Sequence, residues 1–243
     1  MDEMDTSLAN AMTRGGAGLL QPSGTHVSAA QRCFDDLHNR IISLQLPPNT
    51  LLSRGDLARE YEISQTPLRE ALQRLEAEGL VSIYPQSRTV VTRLVTSEIY
   101  EAHFLRVAVE TEVMRRLALN CDPVTLNRLR TILTMQEALA GNLDELPAFQ
   151  ELDEVFHMTL MSGVGQAGLH VLLRARSGHL NRLRRLDLPG PGKIARILEA
   201  HTEIIAALAA KDPEAAQNAM RSHLSQTVSR VETLRAQHPD YFV

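Results

Sequence analysis

Residues 64–85, SQTPLREALQRLEAEGLVSIYP, constrain the fold more tightly than any other stretch of the chain. Ser64 stands where an N-cap hydroxyl accepts a hydrogen bond from a first-turn amide. Pro67 follows inside that turn, where a missing N–H costs nothing. Leu68, Leu72 and Leu75 recur at helical spacing and make one buried face. Gly79 ends the helix, and 81–84 alternates as a strand. The opposite face of the helix start carries Ser64, Gln65, Thr66 and Arg69. Short polar groups with one long cation are the chemistry that meets phosphates and base edges in a DNA major groove.

The flanking segments complete the unit. Residues 27–44 have helical periodicity through Cys33, Leu37, Ile41 and Leu44, until Pro47-Pro48-Asn49 breaks it. Ser53 opens a short helix over 54–61, with Asp56 as its capping partner. Strands at 81–84 and 89–93 flank a turn at 85–88. Helix, helix, helix, hairpin is the order of a winged helix-turn-helix, here spanning 26–95. Residues 1–25 are rich in small and polar types without a sustained period, and are expected as a flexible tail.

From residue 96 onward the pattern is helical throughout. Ser97 caps a long helix at 98–118, and Asp122-Pro123 starts another to about residue 139. Further helices are expected at 143–162, 166–186 and 191–210. Asp212-Pro213 leads into a last one ending near residue 237. Six helices with short connections make an antiparallel bundle over 96–237, with a tail at 238–243. The fold class is mainly α, a winged helix-turn-helix followed by an all-α bundle.

The net charge of −4 argues against a protein that coats nucleic acid non-specifically, while leaving specific binding to local placement of charge. No apolar run approaches the roughly 20 residues of a membrane helix, and the acidic N-terminus lacks a signal-peptide core. Cys33 and Cys121 stand far apart, outside any CxxC pattern. Free thiols in a cytoplasmic protein are the expectation.

Asp153 and His157 are four apart on one predicted helix, which sets both side chains on one face. His201 and His223 follow on later helices, each among apolar residues at helical spacing, so both are expected to turn into the bundle. One carboxylate and three imidazoles converging in a core suit a divalent transition metal; zinc is the expected ion, and nickel, iron and manganese use the same donors. The other reading is of separate core histidines satisfied by backbone groups. Arg106 lies in a mostly apolar helix, where it either pairs with Glu110 at i+4 or binds a carboxylate effector. The remaining histidines read as surface or satisfied partners, with His179 and His103 the candidates among them to face the same cavity. Arg182, Arg184 and Arg185 read as a solvated face.

With both features present, the chain resembles a GntR-type transcriptional regulator of the FadR subfamily with an FCD ligand-binding domain. The resemblance spans residues 27–236. It rests on LPPNTLLSRGDLAREYEISQTPLREALQRLEAEGLVSI in the first domain, and on LRVAVETEVMRRLA, LDEVFH and EAHTEIIAALAAKDPEAAQNAMRSHL in the second. It implies a homodimer on a palindromic operator, with a recognition helix in each major groove. It also implies metal ligands at Asp153, His157, His201 and His223, and a small organic acid at or beside the metal that shifts operator affinity. The DNA-reading positions match less fully. Ser64, Thr66 and Arg69 fit the recognition helix, but Gln65 stands where the family usually has an arginine. Gly55 replaces another usual arginine, with Arg54 beside it, and Gln86-Ser87-Arg88 departs from the usual wing. Glutamine favours adenine where arginine favours guanine, so an altered half-site is expected.

Three functions are compatible with these residues. The leading one is a repressor controlled by a metal-associated organic acid. In the second the metal is itself the signal, or purely structural. The third is a metalloenzyme fused to a DNA-binding module, for which no nucleophile–base arrangement is present.

Overall fold

The computed structural model describes residues 27–85, 87–189 and 192–243. The expectations for residues 1–25 and for Gln86 lie outside the described residues. Helix α1 (Ala29–Ile42) is capped by Ser28, whose hydroxyl accepts from the Gln31 amide. Strand β1 (Leu51–Leu52), α2 (Arg54–Glu60), α3 (Gln65–Ala77), β2 (Val81–Ile83) and β3 (Thr89–Val91) follow. The strands form an antiparallel sheet in the order β1-β3-β2, with Val81 opposite Val91 and Ile83 opposite Thr89. Leu37, Ile41, Leu57, Leu68, Leu72, Leu75 and Leu80 bury the inner faces of the three helices together. This is the expected winged helix-turn-helix, with β1 as an additional strand.

Two expected caps are absent. Ser64 sits at the N-cap of α3 in extended conformation, but its hydroxyl makes no capping bond. An N-cap oxygen meets the amide of the second or third helical residue, and here the third is Pro67, which has none. The helix expected from Ser97 starts instead as α4 (Thr96–Leu119), behind Val95 and without a side-chain cap. Leu94 is held extended by a parallel bridge to Phe242, and the chain turns helical directly after Val95.

The second domain is the expected all-helical bundle, with two helices divided. It comprises α4, α5 (Pro123–Leu139), α6 (Leu146–Gly163), α7 (Ala167–Arg176), α8 (Gly178–Asp187), α9 (Lys193–Ala209), α10 (Pro213–Val228) and α11 (Val231–Gln237). Asp122 and Asp212 cap α5 and α10 as expected, accepting from the Thr125 amide and from the Glu214 and Ala215 amides. The helix expected over 166–186 breaks at Ser177, whose hydroxyl turns back to the Leu173 carbonyl at 2.7 Å. The last helix breaks near Arg230, which reaches Asp187 at 3.2 Å while Val231 and Leu234 turn inward.

Met114, Phe156, Leu160, Ile204 and Met220 centre the main core, built from α4, α5, α6, α7, α9 and α10. Truncating one of these to alanine costs about 2–5 kcal/mol. A separate core at the junction joins Leu94, Ile99, Leu180, Leu183, Val231, Leu234 and Phe242. Residues 238–243, expected as a tail, are docked there. The Leu94 amide donates to the Tyr241 carbonyl at 2.7 Å, and the Val243 amide to the Leu94 carbonyl at 3.0 Å.

Candidate metal centre and effector cavity

Helix α6 buries Phe149, Asp153, Phe156, His157 and Leu160 along one stripe, so the apolar spacing that packs the helix also carries its carboxylate and imidazole inward. His201 of α9 and His223 of α10 enter from facing helices. One donor atom from each of Asp153, His157, His201 and His223 lies within 4.8 Å of the others, and all four residues are buried. The histidine and aspartate positions expected from the sequence are therefore brought together.

Neighbouring groups orient the rings. His157 Nδ1 donates to Glu110 Oε2 at 2.6 Å, which leaves the lone pair of Nε2 turned into the cluster. Glu110 is fixed from its other side by Arg106 Nε at 2.6 Å. His201 Nδ1 donates to Gln136 Oε1 at 2.9 Å, while its ring stacks on Phe156 with centroids 3.9 Å apart. His223 Nε2 and His157 Nε2 face each other at 3.2 Å. The partners Glu110 and Gln136 come from other helices and complete the arrangement.

Burial alone would raise the Glu110 and Asp153 carboxyls. Arg106 and His157 outweigh it at Glu110, and Arg184 with the three imidazoles outweighs it at Asp153, so both are held ionised, well below the usual carboxylate range. Burial pushes His201 down to about 3, against the pull of Asp153. It pushes His223 down as well, with His201 and His157 adding to the effect. An ionised carboxylate with neutral imidazoles is the protonation state a metal requires. Asp153 Oδ1 and His201 Nε2, 3.5 Å apart, are buried without a hydrogen-bond partner. Orphaned acceptors at the meeting point of four metal-type donors fit a divalent cation.

Arg184 corrects the expectation of a solvated arginine face. Its guanidinium bonds Asp153 Oδ2 and reaches Glu154 Oε1 at 3.0 Å, and its side chain is 12% exposed. Arg182 is fully buried. Asp153 and Glu154 on α6 attract this side of α8 inward, an interaction no local pattern reveals. A cavity of about 30 Å³ adjoins the cluster, lined among others by His103, Arg106, Gln150, Asp153, Arg184, Lys193 and His223. Arg106 pairs with Glu110, one of the two roles expected of it, and also lines the cavity. His103 lines it too, but His179 does not. His179 Nδ1 instead accepts from the Val95 amide at 3.1 Å, and its Nε2 lies 3.0 Å from Glu98, at the junction of the domains. Its apolar neighbours, Leu180 and Leu183, belong to the junction core.

In the first domain Arg54, Ser64, Gln65, Thr66, Arg69, Ser87 and Arg88 are all exposed. Arg88 stacks over the Tyr84 ring at 5.0 Å.

The FCD domain family matches residues 98–226, and the bacterial regulatory proteins of the gntR family match residues 29–91. The chain belongs to the GntR family and carries its FCD domain. It is a DNA-binding transcriptional regulator and not an enzyme. A helix-turn-helix-type transcriptional regulator from an unstable DNA locus of Streptomyces ambofaciens is 35% identical over 206 residues, covering 85% of this chain and 86% of the relative. The helix-turn-helix-type transcriptional repressor RspR of Escherichia coli K12 is 26% identical over 212 residues, covering 87% of this chain and 92% of the repressor. Among solved structures, E. coli McbR/YncC superposes with a TM-score of 0.73 at 20% identity, over 87% of this chain and 99% of that one. Among the described residues, no helix of this GntR protein is long and apolar enough to cross a membrane.

Proposed function

We propose that this GntR regulator is a cytoplasmic repressor that binds a palindromic operator as a homodimer, and that a small organic acid beside a divalent metal sets its affinity for that operator. Convergence of Asp153, His157, His201 and His223 on one point carries the metal reading. The bound cation would supply a Lewis-acid site for a carboxylate. Arg106 and Arg184, both lining the adjoining cavity, suit the same anion by paired N–H bonds. The exposed row Ser64, Gln65, Thr66 and Arg69 at the start of α3 supports reading of the major groove, with Arg54 and the wing residues Gln86, Ser87 and Arg88 at the backbone. An effector changes operator affinity only through binding one arrangement of the dimer better than another.

A second reading makes the metal itself the signal. Convergence of the four donors supports it as well, since it calls for a cation and for no organic acid. Titrating the zinc-loaded protein with small carboxylates while following operator binding separates the two. A carboxylate-dependent shift supports the first reading; a zinc effect with no carboxylate effect supports the second. No response to either removes both.

A further inference from the structure

We propose that helix α8 is the coupling element between the metal-side cavity and the recognition helix, with Arg182 and His179 as its positioning residues. This rests on the reading of the Asp153 cluster as a metal site, and extends it to the route by which that site reaches DNA.

Helix α8 is a wall shared by two places. Leu180, Arg184 and Leu188, along and just beyond it, line the cavity. Its first turn is pressed against the C-terminal end of α3. A β-carbon on Gly178 would lie 2.8 Å from Leu80 Cδ2, and one on Gly79 would lie 3.3 Å from His179 Nε2. Only side chains without a β-carbon permit that approach, and Gly79 also holds the left-handed φ of 71° that ends the recognition helix.

Hydrogen bonds continue the contact into the wing. Arg182 donates to the Thr92 carbonyl at 2.6 Å and to Thr92 Oγ1 at 3.2 Å. Thr92 Oγ1 donates to the Gly79 carbonyl at 2.6 Å, and the Thr92 amide to the Leu80 carbonyl at 3.0 Å. His179 Nδ1 receives the Val95 amide at the start of α4. One guanidinium thus ties α8 to the end of the wing and, through one hydroxyl, to the cap of the recognition helix. A fully buried arginine is a poor choice for stability alone, because its desolvation cost offsets what its bonds return. It is a good choice for holding one geometry.

The same helix stands outside the main core of the bundle. Among the described residues the main bundle core draws on α4, α5, α6, α7, α9 and α10, and takes nothing from α8. The apolar side chains of α8, Leu180 and Leu183, pack instead in the junction core with Leu94 and Phe242. A ligand entering the cavity meets Leu180, Arg184 and Leu188 of this wall, and any cation taking Asp153 competes with Arg184 for that carboxylate. Both act on α8, and α8 has the recognition helix at its other end.

Hydrogen exchange on the full chain, with and without zinc, tests this. In the wild type, zinc is expected to slow exchange in α6, α9 and α10 and to change it across residues 78–95. In Arg182→Gln and in Thr92→Val the protection of α6, α9 and α10 is expected to remain, while the change across 78–95 is lost. Arg182→Lys should restore part of it. Thr92→Val removes only a hydroxyl, so it carries the test if Arg182→Gln does not fold. Persistence of the 78–95 change in both variants overturns the proposal, as does a wild type in which zinc protects the site and leaves 78–95 unchanged. No zinc protection at α6, α9 and α10 overturns the metal reading, and this coupling with it.

Discussion

Glu110 accepts the Nδ1 hydrogen of His157 at 2.6 Å, across 47 residues of sequence, while its second oxygen is held by Arg106. A carboxylate in that position fixes the ring's tautomer, its orientation and the direction of its free lone pair.

Replacing Glu110 by glutamine keeps the shape but removes the charge that secures the Nδ1 hydrogen. Zinc affinity should fall by about 10–100-fold, as it does when an outer partner of a metal-bound histidine is lost. His157→Ala removes the ligand itself and should cost at least as much. Competition with a chromophoric chelator measures both. Unchanged affinity in His157→Ala would remove that residue from the site.

Arg69 is exposed on α3 beside the helix start. Arg69→Ala should weaken operator binding by about 1–3 kcal/mol at fixed salt. Fluorescence anisotropy with a labelled operator duplex reads the change, and no loss would mean that α3 docks differently.

Gln65 occupies the second position of the reading face, where a guanine-reading arginine is usual. Selection from a random DNA pool should return half-sites with adenine at the base read there. Substituting Gln65→Arg should then move the preference toward guanine. Recovery of one half-site by both proteins would count against this assignment.

The junction should be acid-sensitive. Burial and Arg174 push His38 down to about 4, against Asn39, Asp35 and Glu154, with Glu78 at 3.5 Å. Burial and Arg182 push His179 down to about 3. An unfolded histidine titrates near 6.5, so on acidification the unfolded chain binds protons first. The stability conferred by these neutral rings is complete above about pH 6.5 and is lost as pH falls toward the folded values. Urea unfolding at pH 7 and pH 5 should differ by about 2 kcal/mol for each ring, and His38→Gln should remove its share. A pH-independent midpoint would contradict the neutral, buried state of both.

Gly178→Ala places a methyl group against Leu80. Overpacking of this kind costs about 1–3 kcal/mol, and the strain falls between α8 and the end of α3. Thermal unfolding should register the loss, whereas Gly168→Ala, where a β-carbon meets nothing within 4 Å, should leave stability within about 0.5 kcal/mol.

Features carried by short spacing were legible in the sequence. Asp153 and His157 share a helical face, Pro123 and Pro213 follow capping aspartates, and the leucines of α3 repeat with the helix period. Features carried by distant partners were not. Nothing near Gln136 announces that its amide meets His201, and Glu110 shows only its i+4 partner. Arg184 looked solvated because its acidic partners lie on another helix. His179 was expected at the cavity, and nothing beside it in sequence announces that its ring meets the Val95 amide and Glu98 instead. Strand β1 has two residues, too few to show alternation.

Leu94 and Phe242 pair across roughly 150 residues of chain, and closing so long a loop is entropically costly compared with winding any one helix. Each domain has a core of its own, and this seam, with fewer buried apolar side chains than either, is expected to open before them. Opening it together with the contacts of α8 on Leu80 and Thr92 leaves the winged domain and the bundle folded while freeing each to reorient about the segment between Val91 and Thr96. The protein then carries a hinge whose stiffness is set by a few contacts at the seam, independently of how stable its two halves are.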